Sequence, residues 1–222
     1  IAMLPTIMGY AYQVKRRHYD KESMVIHPTL PGLSTAETIL RSIRADTVYT
    51  KEEARLLDLC LMLHAEHGGG NNSTFAARVL SSSGTDTYSA IAAAIGALKG
   101  PRHGGANIKV MQMLDYIKEG VRDWEDDEEI ADFLIRLINR EAGDRAGLIY
   151  GMGHAVYTLS DPRAVILKEA ARGLAEKKGL GPDFRLLEAV ERLTPSVFAR
   201  TKENTKAMCA NVDLYSGLVY RT

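Results

Sequence analysis

A histidine in a glycine-rich turn is the first feature of this sequence that is suited to chemistry. His103 lies in the stretch 100–107, which is Gly-Pro-Arg-His-Gly-Gly-Ala-Asn. The glycine and proline end one helical run, and a second amphipathic run starts at Ala106. Free backbone N–H groups at a helix start favour anions and disfavour a charged imidazolium. The stretch therefore predicts either a neutral histidine that donates to a developing oxyanion, or a loop histidine that only fills space.

Three further polar stretches contain residue types that carry chemistry, and each also has a structural explanation. His64 and His67 are three residues apart, which suits a packed pair at a helix end or half of a metal site. His154 follows two glycines and is either a catalytic group or a buried loop histidine. Asp213, in Asn-Val-Asp, is most simply the N-cap of the last helix. Taken one at a time, these residues do not define a reaction.

The composition limits the partners of this chain. The 222 residues include 28 Lys and Arg and 28 Asp and Glu, so the net charge is zero and gives no support for nucleic acid or an anionic membrane as partner. Cys60 and Cys209 have no cysteine two or three positions away, which is typical of a reduced intracellular protein. No apolar run reaches membrane-spanning length, and the first residues lack a signal-peptide pattern.

The elements that must position these residues are predicted to be helices throughout, because no segment alternates at period two. Capping boxes at Ser34 and Thr50 each start a helix, and Asp161-Pro162 starts another. The helix that follows Thr50 is apolar nearly all round, which predicts burial inside the protein or an oligomer. The predicted helices are about 1–17, 35–44, 51–66, 71–80, 88–98, 106–117, 125–140, 162–178, 183–193, 196–208 and 213–220.

Several of these motifs together resemble the citrate synthase family. The 100–107 stretch, the Gly-x-Gly-His-x-Val-Tyr and Asp-Pro-Arg run over 151–163, and Asn-Val-Asp-x-Tyr-Ser-Gly over 211–217 carry the resemblance. Leu-His-Ala-Glu-His over 63–67 and the Asn-x-Ser-Thr-Phe-Ala-Ala-Arg run over 71–78 agree with it. The motifs follow the family's order from about residue 4 to the end, and several motifs in register are far more specific than one.

The resemblance implies a reaction and a role for five residues. The methyl carbon of acetyl-CoA is joined to the carbonyl carbon of oxaloacetate, and the thioester is then hydrolysed. Asp213 matches the family's base, His103 the donor to the thioester oxygen, and His154 the histidine that polarises the oxaloacetate carbonyl. His67 and Arg163 match residues that hold oxaloacetate, and a guanidinium suits a carboxylate. No metal and no cofactor are implied, since coenzyme A enters as the thioester substrate.

The resemblance also implies an architecture and an assembly. Residues 1–103 are expected to form part of a large helical domain, and residues 104–222 a smaller helical domain. Helices 51–66 and 86–98 are expected to contact a second copy in a homodimer. The implied location is the cytoplasm of a bacterium, with the mitochondrial matrix as the alternative. The chain is also expected to be a fragment, weakly active or inactive by itself, because family members have further N-terminal and C-terminal segments.

Two positions depart from the family's usual pattern. Glu66-His67-Gly68 replaces the common Asp-His-Glu, and Thr158 stands where a basic residue often helps to bind coenzyme A.

Three other functions remain as alternatives. The first is 2-methylcitrate synthase, which uses propionyl-CoA and differs by one methylene. The second is a metal site built from His64, His67 and either His103 or Asp213. The third is a non-catalytic helical dimerisation module.

Overall fold

The chain folds into helices, as predicted. The computed structural model describes residues 2–65, 70–101, 103–153, 157, 159–201 and 208–222. In these ranges every regular element is a helix, and the one β-type contact is an isolated antiparallel bridge between Met152 and Ala210. The all-α prediction is confirmed. None of the described helices is both long enough and apolar enough to cross a membrane.

The chain divides into two compact units, residues 1–65 and 66–222. The predicted domains, with their boundary at residue 103, are a separate proposal that these units do not test. The first unit contains α1 (Leu4–Lys15), a π-helical turn (Arg16–Asp20), α2 (Thr35–Ile43) and α3 (Lys51–His64). The second contains α4 (Asn72–Ser82), α5 (Thr87–Leu98), α6 (Ala106–Gly120), α7 (Asp127–Ile138), α8 (Pro162–Lys177), α9 (Gly181–Thr201) and α10 (Asp213–Val219).

In the first unit α1 packs on α2, and α2 packs on α3. Both predicted capping boxes are present, at Ser34 and at Thr50, so the starts of α2 and α3 are encoded locally. Helix α3 is less buried than its composition predicts. Leu56 and Cys60 are buried, but Met62 is 61% exposed. Within the first unit, α2 is the neighbour that packs on α3.

The core of the second unit lies between α6, α7, α8, α9 and α10. The short helix α10 packs against α6, α8 and α9, and α7 packs along α9. Every residue of α10 from Leu214 to Val219 is buried. The side chains that are almost completely enclosed are Val110, Met113, Leu114, Ile117, Ile130, Leu134, Leu167, Leu186, Leu187, Leu214, Tyr215 and Leu218.

Helices α4 and α5 form a hairpin that is packed very differently. The two helices contact each other, yet no residue of α4 is buried, and Ala90 is the one buried residue of α5. Large apolar side chains of this hairpin are exposed to solvent: Phe75, Val79, Tyr88, Ile91, Ile95 and Leu98. Their number on two adjacent helices exceeds the scattered apolar side chains of an ordinary surface.

One helix boundary near the C-terminus was predicted wrongly. The expected pair 183–193 and 196–208 is a single helix, α9, which continues through Pro195 to Thr201. Pro195 lacks an N–H, which removes the bond to the carbonyl of Glu191, but it does not stop the helix. Val190 and Val197 are both fully buried, one on each side of the proline, so core packing outweighs the lost bond. Residues 202–207 lie outside the described part of the chain.

Candidate active site

The turn that carries His103 is fixed by backbone bonds and by Gly104. The His103 N–H donates to the carbonyl of Gly100 at 2.9 Å, and the Gly104 N–H to that of Leu98 at 2.9 Å. A Cβ atom at Gly104 would lie 2.2 Å from the Leu98 carbonyl oxygen, so no other residue fits there without a backbone shift. Helix α6 begins two residues later. The predicted position of His103, in a tight turn beside a helix N-terminus, is confirmed.

Ser73 is the partner of His103, and the sequence reasoning did not assign it a role. Its Oγ lies 2.8 Å from His103 Nε2. Ser73 is held at the start of α4 because the Asn71 side chain caps this helix, accepting from the N–H of Ser73 at 2.8 Å and of Thr74 at 3.1 Å. The Asn-x-Ser order before a helix is a cap pattern. It signals the helix start but not the contact, which spans 30 positions of sequence.

The Ser73 contact bears directly on what His103 can donate. A neutral imidazole has one donor and one acceptor nitrogen, and the partner of one nitrogen sets the role of the other. When the Ser73 hydroxyl donates to Nε2, the proton is on Nδ1. That tautomer is the one with a donor left for a ligand oxygen. Ser73 thus holds the orientation of the ring, and when its hydroxyl donates to Nε2 the imidazole keeps Nδ1–H as a donor for a ligand.

Asp213 is the first residue of α10, and its position is set by Asn211. The Oδ1 of Asn211 accepts from the Asp213 N–H at 3.0 Å. The expectation that Asp213 caps this helix is therefore wrong: Val212 is the N-cap residue, and the capping side chain is that of Asn211. The accepting amide lies two residues before Asp213, so the Asp213 carboxylate is not needed as the cap.

Asn211 also ties α10 to the segment that leads to His154. Its backbone N–H donates to the Gly151 carbonyl at 2.9 Å, and its Nδ2 donates to the Gly153 carbonyl at 3.0 Å. Gly151 has φ +80°, and a Cβ there would lie 2.8 Å from Leu214 Cα. Only glycine permits this approach of the loop to α10. Two of the predicted chemistry-bearing stretches, 151–153 and 211–213, are therefore joined directly.

Arg163 is held at the start of α8 by Asp161. The carboxylate accepts from the Arg163 backbone N–H at 2.9 Å, from Nε at 3.1 Å and from Nη2 at 2.8 Å. Asp161 is 1% exposed, so this fork is a shielded, charge-assisted contact. The side-chain hydrogen bonds to Asp161 raise the pKa of Arg163, and burial of the guanidinium opposes this rise. The negative charges of Asp161, Tyr157 and Asp213 raise the pKa further. Asp213 therefore interacts electrostatically with Arg163.

The structure places some of the predicted site residues and leaves others outside its description. His103, Arg163 and Asp213 lie in the second unit, each at or beside a helix start. His67 and His154 lie outside the described residues. His64 is at the end of α3, where its Nδ1 is 2.7 Å from the Cys60 carbonyl oxygen. Among the described residues, no three histidine, cysteine or carboxylate side chains are grouped as metal ligands.

Comparison with known proteins decides the family. The model of the citrate synthase C-terminal domain matches residues 1–222. The chain belongs to the citrate synthase family. A citrate synthase of Deinococcus radiodurans is 43% identical over 171 residues, which are 77% of this chain and 41% of that protein. The citrate synthase 1 of Mycobacterium tuberculosis is 37% identical over 228 residues, covering 100% of this chain and 48% of its own length.

A solved citrate synthase shows the same fold. The crystal structure of citrate synthase from Pyrobaculum aerophilum matches with a TM-score of 0.76 and 33% identity, covering 98% of this chain and 48% of that one. The chain therefore spans about half the length of the citrate synthases that it matches. The resemblance drawn from the motifs is confirmed, while the roles of the individual site residues stay predictions.

Proposed function

We propose that the five predicted site residues form part of the catalytic centre of a citrate synthase. This enzyme condenses acetyl-CoA with oxaloacetate to give citrate and coenzyme A. The observation that carries the proposal is the pair Ser73 and His103, a side-chain contact that leaves Nδ1 of the imidazole for a ligand. The Asn211 contacts support it, because they place Asp213 beside the segment that precedes His154. Both arrangements occur within motifs of the citrate synthase family.

The first step is removal of a proton from the methyl group of acetyl-CoA. A thioester methyl is a very weak carbon acid, so a base must act together with a donor to the developing enolate oxygen. Asp213 is the base, and His103 donates to the thioester oxygen. In this proposal the Ser73 hydroxyl donates to Nε2 and the proton of the imidazole is on Nδ1, which suits this donation.

The second step joins the enol carbon to the carbonyl carbon of oxaloacetate. His154 polarises that carbonyl by a hydrogen bond, and His67 and Arg163 hold the substrate carboxylates, as the family resemblance implies. The Asp161 fork fixes the orientation of the Arg163 guanidinium before substrate arrives, which reduces the entropy lost on binding. Water then hydrolyses the citryl thioester and coenzyme A leaves.

A homodimer is part of this proposal. The α4–α5 hairpin exposes large apolar side chains on two adjacent helices, among them Tyr88 at 80% and Phe75 at 64%. Covering this surface with the same hairpin of a second copy would remove it from water, and closed two-fold dimers are the commonest assembly. The cytoplasmic location stays a prediction.

The test is release of free coenzyme A thiol by the full natural protein that contains these 222 residues. Release should require both acetyl-CoA and oxaloacetate. In the Asp213→Asn variant the rate should fall about 100- to 10,000-fold, because the base is lost while the shape is kept. The matched control is Asp115→Asn, an exposed carboxylate on α6, which should keep the parent rate.

Two outcomes would change the proposal. A normal rate in Asp213→Asn would contradict the assignment of the base. Faster release from propionyl-CoA than from acetyl-CoA would assign the protein as a 2-methylcitrate synthase, although the names of the relatives favour citrate synthase.

A further inference from the structure

A buried tyrosine lies two residues after the proposed base and has no part in the proposed reaction. The Tyr215 side chain on α10 is fully enclosed. Its ring packs against Phe184 of α9, with the centroids 5.5 Å apart. Its hydroxyl donates to Oε2 of Glu191, also on α9. A buried hydroxyl needs such a partner, so this contact fixes the rotation of α10 against α9.

Glu191 also binds a residue of α8. Lys168 Nζ lies 2.7 Å from the same Oε2 atom that accepts from Tyr215. The same ammonium group is 5.6 Å from the centroid of the Tyr215 ring, within range of a cation–π contact. One carboxylate thus joins three helices, α8 through Lys168, α10 through Tyr215 and α9 through its own backbone.

The contact is stronger than an exposed ion pair. The side chains of Lys168 and Glu191 are 25% and 29% exposed, so solvent screens them only in part. Burial raises the pKa of Tyr215, and the bond to Glu191 raises it further, so the phenol stays protonated and remains a donor at physiological pH. Hydrogen bonds to a charged acceptor are about twice as strong as neutral ones.

The two helices that Glu191 connects to its own helix α9, namely α8 and α10, each carry a proposed active-site residue. Arg163 precedes Lys168 by five residues on α8, about 7.5 Å along the axis, and Asp213 precedes Tyr215 by two residues on α10, about 3 Å. Helices are rigid over such distances. A contact that holds Tyr215 against Lys168 therefore also limits how far Asp213 can move relative to Arg163.

We propose that Glu191 is a positioning residue: through Tyr215 and Lys168 it locks the helix of the base, α10, to the helix of the substrate arginine, α8. The proposal rests on the proposed function for the roles of Asp213 and Arg163. Glu191 itself does not touch the substrate in this proposal. It keeps the base in register with the substrate that Arg163 holds.

The experiment compares two variants that break the contact with one that does not. Glu191→Gln removes the charge that pairs with Lys168, and Tyr215→Phe removes only the hydroxyl. The control is Glu176→Gln, which breaks an ion pair between the carboxylate of Glu176 and Arg185 at 2.6 Å, with both side chains more than half exposed. All are measured in the full natural protein by amide hydrogen exchange and by condensation kinetics.

Both test variants should loosen α10 and slow catalysis. The α10 amides, Leu214 to Val219, should exchange about tenfold faster or more in Glu191→Gln and in Tyr215→Phe. The kcat should fall about tenfold, with a smaller change in the KM for oxaloacetate, because Arg163 still binds the substrate. Lys168→Arg, which keeps the cation, should retain most of the rate, and Lys168→Met should not. The control should match the parent.

Three results would overturn or separate the proposals. Unchanged α10 exchange and kcat in both test variants would refute the positioning role, as would an equal loss in Glu176→Gln. If Glu191→Gln does not fold, Tyr215→Phe, which keeps the ring, decides the question by itself. If Asp213→Asn leaves the rate intact while Tyr215→Phe still speeds α10 exchange, the contact stands and the proposed base is wrong.

Discussion

Two of the proposed catalytic groups of this chain, Asp213 and His103, are held in opposite ways. Asp213 begins α10, in which every following residue up to Val219 is buried among α6, α8 and α9. His103 follows the α4–α5 hairpin, and of the described residues of these two helices Ala90 is the one that is buried. The base is positioned by the packed core, whereas the histidine is positioned by hydrogen bonds in its turn and by Ser73.

The difference shows how a helix can be well formed without being well packed. Helices α4 and α5 have side-chain caps, Asn71 and Asp86, and α5 is rich in alanine. Such local signals are sufficient for helix formation when a second helix lies alongside. Helix α10 is only seven residues long, too short to form by itself, so burial of its side chains must stabilise it.

The largest expected effect is a contrast in amide hydrogen exchange within one molecule. At low protein concentration the α10 amides should exchange about a hundredfold or more slowly than those of α4 and α5, because opening α10 disrupts the core. Raising the concentration should slow exchange in the hairpin alone, as a second copy covers it. Equal protection of α10 and the α4–α5 hairpin in the monomer would contradict the proposed difference in packing between them.

A pair of glycine substitutions should give effects of opposite sign. In α10 a Cβ at Gly217 would lie 2.8 Å from Met111 Cγ and 2.9 Å from the Asn107 carbonyl oxygen, so Gly217→Ala should lower the free energy of unfolding by about 1–3 kcal/mol. In α5 nothing lies within 4 Å of a Cβ at Gly96. Gly96→Ala should therefore raise the free energy of unfolding by about 0.5–1 kcal/mol, because alanine has a higher helix propensity than glycine.

Urea titration of the two glycine variants checks both signs. The midpoint should move in opposite directions at unchanged slope. A loss of stability in Gly96→Ala that grows with protein concentration would show instead that a second copy packs closely at Gly96.

The Ser73 contact should matter for catalysis more than for folding. Ser73→Ala removes the partner of His103 Nε2, and we expect kcat to fall about tenfold, since the hydrogen bond that orients the imidazole is lost. Ser82→Ala, at the far end of the same helix, removes a hydroxyl that donates to the Val79 carbonyl at 2.7 Å and should leave kcat unchanged. Equal rates in the two variants, measured by thiol release, would show that Ser73 has no role in the active site.

The smallest expected effect is a local response of the hairpin to acid. The Ser89 hydroxyl and then the Ser89 N–H donate to the Asp86 carboxylate, and they hold its pKa below the ordinary 3.8. A carboxyl with a lowered pKa stabilises the fold above its ordinary pKa, and this contribution is lost as the pH falls through the lowered value. The amide signals of α5 should therefore shift on acidification below about pH 3.8.

Asp86→Asn tests this cause. Asparagine caps a helix without titrating, so the acid shift of α5 should be absent in that variant. NMR spectra recorded between pH 5 and pH 2.5 measure it, and persistence of the shift would assign it to another group.

Local chemistry alone predicted most of the helices. Capping residues at Ser34, Thr50 and Asp161 marked helix starts correctly, since a cap bonds within its own first turn. The same logic failed at Asp213, where the side chain of Asn211 provides the cap, and at Pro195, where the buried valines on both sides carry the helix through. Each failure is a place where tertiary packing or a neighbouring side chain outweighed a local rule.

The sequence by itself determined the all-α fold, the His103 turn and the family, because caps, glycines and motif order act over a few residues. Only the tertiary structure decided that Ser73 meets His103, that Asn211 joins α10 to the 151–153 segment, and that Glu191 links α8 to α10. These contacts join positions 23 to 58 residues apart. No local pattern encodes them, since they exist only once the helices that carry them have packed.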